Sequence, residues 1–434
     1  MPGKLVSRRQ LLSMTAAFGM SVALLATGPA TSIAAQHQPI ELEFVVWNYS
    51  IDTIQDNIKK FEELNPGIKV KLTDYAWGDY HDTMVLRFRS NMPDIVYGGE
   101  DWLPEWASAG WLAPLEKIIP AAARYREKTA PYALADMTYE GTLYGLSYYA
   151  DLITFQFNKA LLQENGLAPP NTWEEVRTVA ESLKAAGIDK PIVYEYNQEL
   201  PNFYAAFLAQ VYGRGGQMFD DDLNPVFSDP NSEAFKQLQW LQDAYKDDLM
   251  ALETHETKVI TAMNTGKHAF TVLFNYNLAA MNNAATAARA GDFAMQKMPG
   301  KSRATYGFAK FYAMTSKAAA DPARREAAWK FIEFMGGGDY QVAKRWAVEK
   351  GLGFAALPLY DDPDVQEAWS AWIDPQDFKD QAALARNGTQ TPFMGIWSAA
   401  FRPLLAQAIV GEASVQEVMD EGAKEWNRLS KQYR

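Results

Sequence analysis

Leu42-Glu43-Phe44-Val45-Val46-Trp47 is a short run of β-formers that stops at the polar Asn48-Tyr49-Ser50, which predicts a buried strand running into a loop. Ile54, Ile58, Phe61 and Leu64 then recur at helical spacing until Asn65-Pro66-Gly67 ends the pattern. Ile68, Val70 and Leu72 alternate with Lys69 and Lys71, as in a strand with one wetter face. Strand, helix and strand in about 30 residues make a βαβ unit, and therefore a parallel sheet.

Reading outward, the alternation continues. Pro93-Asp94-Ile95-Val96-Tyr97 predicts a third strand, followed by Gly98-Gly99-Glu100-Asp101-Trp102. Gly141 to Tyr149 reads as a turn and a strand leading into Asp151 and the β-rich Leu152 to Phe157. Thr172-Trp173-Glu174-Glu175 is a capping box, Asp321-Pro322 opens a helix that Gly336-Gly337-Gly338 closes, and Ser414 with Glu417 caps the last one. No internal repeat interrupts this order, and the fold class is α/β.

The chain has 434 residues, 48% of them hydrophobic and 22% charged, enough for two or three domains with their own cores. The absence of cysteine removes disulfides, thiol nucleophiles, thiolate metal sites and a lipid-modified N-terminal cysteine. Only 4 His are present, so no metal and no cofactor is expected. The net charge of −12 argues against nucleic acid as a partner. Lys4, Arg8 and Arg9 precede a weakly apolar run, Leu11 to Ala26, and the small residues Ser32-Ile33-Ala34. This layout predicts a cleaved export signal over residues 1–35, of twin-arginine type from Ser7-Arg8-Arg9-Gln10-Leu11-Leu12. Its removal takes the net charge from −12 to −15, and the expected product is a soluble periplasmic protein.

Motifs for phosphate loops, dinucleotide turns, nucleophile elbows and H-E-x-x-H zinc sites are missing. Gly351-Leu352-Gly353 lacks the third glycine of a dinucleotide turn and is set aside, and so is the glycosylation-like Asn387-Gly388-Thr389. Asp220-Asp221-Asp222 reads as a solvated acidic turn rather than a calcium loop. Glu100-Asp101 sits at the carboxyl end of a predicted strand, where α/β sheets place ligands. Asp101 can there accept ligand hydrogen bonds, cap a helix or act as a catalytic acid. Aromatic residues gather at similar points: Trp47 and Tyr49, Trp102, Tyr148 and Tyr149 beside Asp151, and Tyr276 between Asn275 and Asn277. Such rings either fill the core or stack on the C–H face of a sugar while nearby carboxylates and amides take its hydroxyls.

The order of several short motifs resembles the periplasmic solute-binding proteins of ABC importers, in their carbohydrate-binding branch. The residues are the strand ending in Trp47, Phe61-Glu62, Gly67-Ile68-Lys69-Val70, Pro93-Asp94-Ile95-Val96 and Gly110-Trp111-Leu112. Asn158-Lys159, Pro169-Pro170 with Thr172-Trp173-Glu174-Glu175, Gly266-Lys267 and Tyr306-Gly307 follow in sequence. The resemblance implies a two-lobed fold with a hinge and an interlobe cleft: lobe one at 41–150 plus 308–357, lobe two at 151–307 plus 358–434. It implies ligand contacts at Trp47, Asn48, Tyr49, Asp101, Trp102, Tyr149, Asp151, Asn275, Tyr276, Gly307 and Trp397. It also implies a non-catalytic monomer that hands a sugar, polyol or glycoside to a membrane ABC permease. Trp102 stands where the maltose-binding members carry an arginine, which argues against a maltodextrin ligand. The rivals are a secreted glycosidase or lyase working on carboxylates, and a receptor for a charged solute. An acidic cleft would suit a polyamine, and a site on Arg303, Arg345 or Arg402 would suit a phosphorylated or sulfonated polyol.

Overall fold

The computed structural model describes residues 39–433, so the expected export signal lies outside the described residues. Strand Ile40–Trp47, helix Ile51–Leu64 and strand Ile68–Tyr75 form the expected βαβ unit, with the strands parallel from Ile40 opposite Ile68 to Trp47 opposite Tyr75. The helix turns Ile54, Ile58 and Phe61 into the core, but Leu64, last in the apolar stripe, is exposed. Helix Trp77–Ser90 then returns the chain to strand Ile95–Gly99, which pairs in parallel on the other side of the first strand.

Two long strands decide the architecture. Gly145–Asn158 and Thr305–Met314 run antiparallel, pairing from Gly145 with Ala313 to Leu152 with Gly307. Past that stretch, Ile153 to Phe157 pairs with strand Phe270–Phe274, which leads to Ile192–Glu195 and Met250–Glu253. Each end of the sheet thus carries three mutually parallel strands, and the two long strands lie between them, Thr305–Met314 beside Ile95–Gly99 and Gly145–Asn158 beside Phe270–Phe274. A third stretch accompanies them: the carbonyl of Gly353 accepts from Ala150 N–H at 3.1 Å. Gly353 allows this approach, because a Cβ there would lie 2.1 Å from the Ala150 oxygen.

Buried apolar side chains fall into two clusters, one around the first strands and one around helices Pro201–Arg214, Glu233–Lys246, Met394–Val410 and Val415–Tyr433. Residues 358–434 divide between the two clusters. Tyr360, Trp369 and Phe378 pack with Phe354 in the first cluster, while Phe393 to Leu429 belong to the second. The helix caps agree with the sequence for Asp321, whose carboxylate accepts from Arg324 N–H, and for the reciprocal pair Ser414 and Glu417. At the third, Thr172 accepts from Glu175 N–H, but the Glu175 carboxylate turns back to Asn171 N–H instead of Thr172.

Candidate functional site

A cavity of about 390 Å³ lies where the carboxyl ends of the strands face the two long crossing strands. From one end of the sheet come Trp47, Asn48, Tyr49, Trp77, Glu100 and Asp101. From the other come Asn202, Tyr204, Glu256, Phe274 and Tyr276, and the crossings supply Tyr149, Asp151, Tyr306, Phe308, Lys310 and Leu352. Strand ends are suited to this, because each strand stops where its last side chains can project into a crevice.

Asp151 is fully buried. Its Oδ1 accepts from Gly353 N–H at 2.6 Å and from the Asn275 amide at 3.1 Å, while its Oδ2 has no partner. Burial pushes this carboxyl up to about 7; the Gly353 and Asn275 hydrogen bonds pull it down, and the charge of Glu256 adds to the rise. Glu256 accepts at Oε2 from Tyr276 O–H at 3.0 Å and from the Asn277 amide at 3.1 Å. Tyr276 itself stacks on Phe274, the ring centroids 5.2 Å apart. Burial also lifts Glu195, near Glu256, to about 7.

The opposite wall carries an ion pair. Lys310 Nζ donates to Glu100 Oε2 at 2.5 Å, with exposures of only 6% and 8%. The same ammonium sits 5.2 to 5.4 Å from the ring centroids of Trp77, Trp102 and Phe308, a cation–π setting. Burial raises Glu100 to about 7; Lys310 opposes that shift and Asp101 reinforces it. Tyr306 O–H donates to the other Glu100 oxygen at 3.4 Å.

Of the residues singled out in the sequence, Trp47, Asn48, Tyr49, Asp101, Tyr149, Asp151 and Tyr276 line this cavity. The other four do not. Trp102 lies behind the wall, packed on Trp77, Tyr80 and Trp106. Asn275 is buried and structural, accepting from Leu152 N–H at 2.8 Å while its amide holds Asp151. Gly307 lets helix Pro131–Asp136 pack on the crossing strand, since a Cβ there would lie 2.7 Å from the Tyr132 ring. Trp397 is 0% exposed in the second cluster, its indole N–H donating to Gly422 O and its ring stacked on Phe401. One helix turn decides that outcome: Met394 and Ser398 line the cavity, while Trp397, Phe401 and Leu405 face the core.

Asp101 does not cap the following helix, whose cap position is Trp102 without a side-chain bond. The arginines weighed for an anionic solute lie elsewhere: Arg303 binds Asn171 and Lys297 O, Arg345 pairs with Asp56 and Glu349, and Arg402 binds Gln198 O and Glu199 O. Glu100 is marked in the sequence only as the neighbour of Asp101, Lys310 and Glu256 are not marked at all, and neither the acidic turn nor the glycosylation-like triplet carries weight there. Asp220 accepts from the N–H groups of Asp222 and Asn224, as a solvated turn does. Gly388 and Thr389 line the cavity. Among the described residues, no group of three or more His, Cys, Asp and Glu is placed to hold a metal ion, and no helix is long and apolar enough to cross a membrane.

Known proteins share this fold. A maltotriose-binding protein of Pyrococcus abyssi is 29% identical over 146 residues, 33% of this chain and 30% of the relative. The chain's matches span 30% to 39% of the length of such curated relatives. In structure, a maltose-bound protein of T. maritima superposes with a TM-score of 0.76 at 19% identity, covering 90% of this chain and all of the other. A solute-binding protein of Agrobacterium radiobacter in complex with ribitol gives 0.74 at 18% identity, covering 90% of this chain and 98% of the other. The fold is therefore the two-lobed α/β fold of these binding proteins. The model of bacterial extracellular solute-binding proteins matches residues 47–342, and the chain belongs to that family.

Proposed function

We propose that this chain is a periplasmic receptor that captures a sugar, polyol or glycoside and delivers it to an ABC import permease. The observation that carries the reading is the cavity itself: aromatic faces and carboxylates converge on it from both ends of one sheet. Aromatic rings suit the C–H faces of a saccharide, and acceptor oxygens suit its hydroxyls. Relatives whose structures hold maltose and ribitol support a polyhydroxylated ligand.

In this reading the lobes meet at 150–151 and 306–307, joined by a third crossing at 351–356, and residues 359–382 brace the joint. A ligand touching both lobes draws them together, because only the closed form makes all its contacts. The receptor works as a monomer, exported through the twin-arginine signal at residues 1–35. Family membership supports binding rather than turnover, and the buried pairing of Glu100 with Lys310 leaves that carboxylate engaged. A thermal-shift screen of the mature protein against sugars, polyols and their derivatives tests the reading. A cognate ligand raises the melting temperature by mass action, without being consumed. Steady turnover of any hit, or no shift with any polyhydroxylated compound, overturns it.

A further inference from the structure

The lining of the cavity is unbalanced in charge. Among the described residues, Glu100, Asp101, Asp151 and Glu256 line it against one Lys or Arg, Lys310, and one imidazole, His255, whose Nδ1 accepts from Thr257 N–H at 3.2 Å. Lys310 is already committed to Glu100. Among the described residues, the Asp101 carboxylate has no hydrogen-bond partner, Glu256 accepts only from neutral donors, and Asp151 keeps one fully buried oxygen with no partner. Around Asp151 and Glu256 stand Tyr49, Tyr149 and Tyr276, which with Phe274 present aromatic rings to the same space.

A neutral sugar enclosed here supplies hydroxyl donors but no countercharge, and it displaces the water that screens the carboxylates. An anion is repelled. A protonated amine answers both features: its N–H groups form charge-assisted hydrogen bonds to carboxylate oxygens, and aromatic faces attract its charge. The neutral polar lining, Asn48, Asn202, Thr389 and Ser398, still provides partners for hydroxyls. Resting on the receptor reading above, we infer that the ligand is a polyhydroxylated compound bearing a protonated amine, an amino sugar or aminocyclitol. Its ammonium sits at the Asp151–Glu256 end of the cavity, among Tyr49, Tyr149 and Tyr276.

Calorimetric titration of the mature protein near neutral pH, with matched probes, tests this. Glucosamine is compared with glucose and N-acetylglucosamine, the glucosamine disaccharide with cellobiose and diacetylchitobiose, and spermidine supplies charge without a sugar. The expected result is binding of an amine-bearing saccharide at least tenfold tighter than its neutral partners. Asp151→Asn and, separately, Glu256→Gln then reduce that preference at least fivefold. Equal or tighter binding of the neutral partners overturns the amine assignment and leaves the sugar-receptor reading standing. Binding of spermidine alone, or of no saccharide, overturns both. A preference that survives both variants, each confirmed folded by circular dichroism, overturns the assigned position.

Discussion

Replacing Asp151 by Asn separates the two tasks of this side chain. The amide oxygen can keep both bonds made by Oδ1, to Gly353 N–H and the Asn275 amide, and only the unpartnered Oδ2 changes, from acceptor to donor. The folded carboxyl titrates at about 7, against 3.8 for an exposed one. Its pKa is thus raised on folding. The unfolded chain ionises first as pH rises, and stability is lost between about pH 4 and pH 7. The shift corresponds to roughly 4 kcal/mol of penalty on the ligand-free protein above pH 7. Asn escapes that penalty but buries an amide N–H at a cost of about 1–3 kcal/mol. The difference in stability, variant minus wild type, should therefore climb by roughly 4 kcal/mol from pH 4 to pH 8, ending in favour of the variant. Equilibrium urea unfolding of both proteins at matched pH values measures it. Glu100 and Glu195, which burial also raises to about 7, are common to both proteins and largely cancel in the difference. A difference that is flat with pH, or that falls as pH rises, would refute the picture of a strained, unpaired carboxylate.

Gly353→Ala should destabilise by about 1–3 kcal/mol in urea unfolding, since its Cβ meets the Ala150 oxygen at 2.1 Å and Asp151 Oδ1 at 2.8 Å. Lys310→Met should lose about 3–5 kcal/mol at pH 8, because Glu100 is left buried and unpaired. Adding Glu100→Gln should recover much of that loss, and a double variant no more stable than the single one contradicts the pairing. Trp397→Ala should cost about 3–5 kcal/mol of stability yet leave the affinity of the folded protein nearly unchanged, the reverse of Tyr276→Ala. Calorimetry paired with unfolding curves distinguishes the two.

The opening βαβ unit was legible because its pattern is local: period two, then 3.6, then two, with turn residues between. Trp47, Asn48, Tyr49 and Asp101 could be placed for the same reason, since each follows the end of a readable strand. The ion pair of Glu100 with Lys310 joins positions 210 residues apart, and no short-range pattern carries such a contact. Glu256 was hidden at the start of a short helix whose cap, His255, is atypical. Trp397 was misplaced because a helical residue one position from the cavity face points elsewhere; the spacing of Trp397, Phe401 and Leu405 already marked the core stripe. Gly353 was discarded as a failed nucleotide motif, whereas its lack of a side chain is what lets the third crossing reach Asp151.

The most direct test of the account is a crystal structure of the mature protein with the tightest ligand from the thermal-shift screen. That ligand is expected between Trp47 and Tyr276, with a donor group on Asp151 Oδ2 and contacts from both ends of the sheet. A ligand bound outside this cavity, or one touching only one end of it while Asp151 stays unpartnered, would contradict the account.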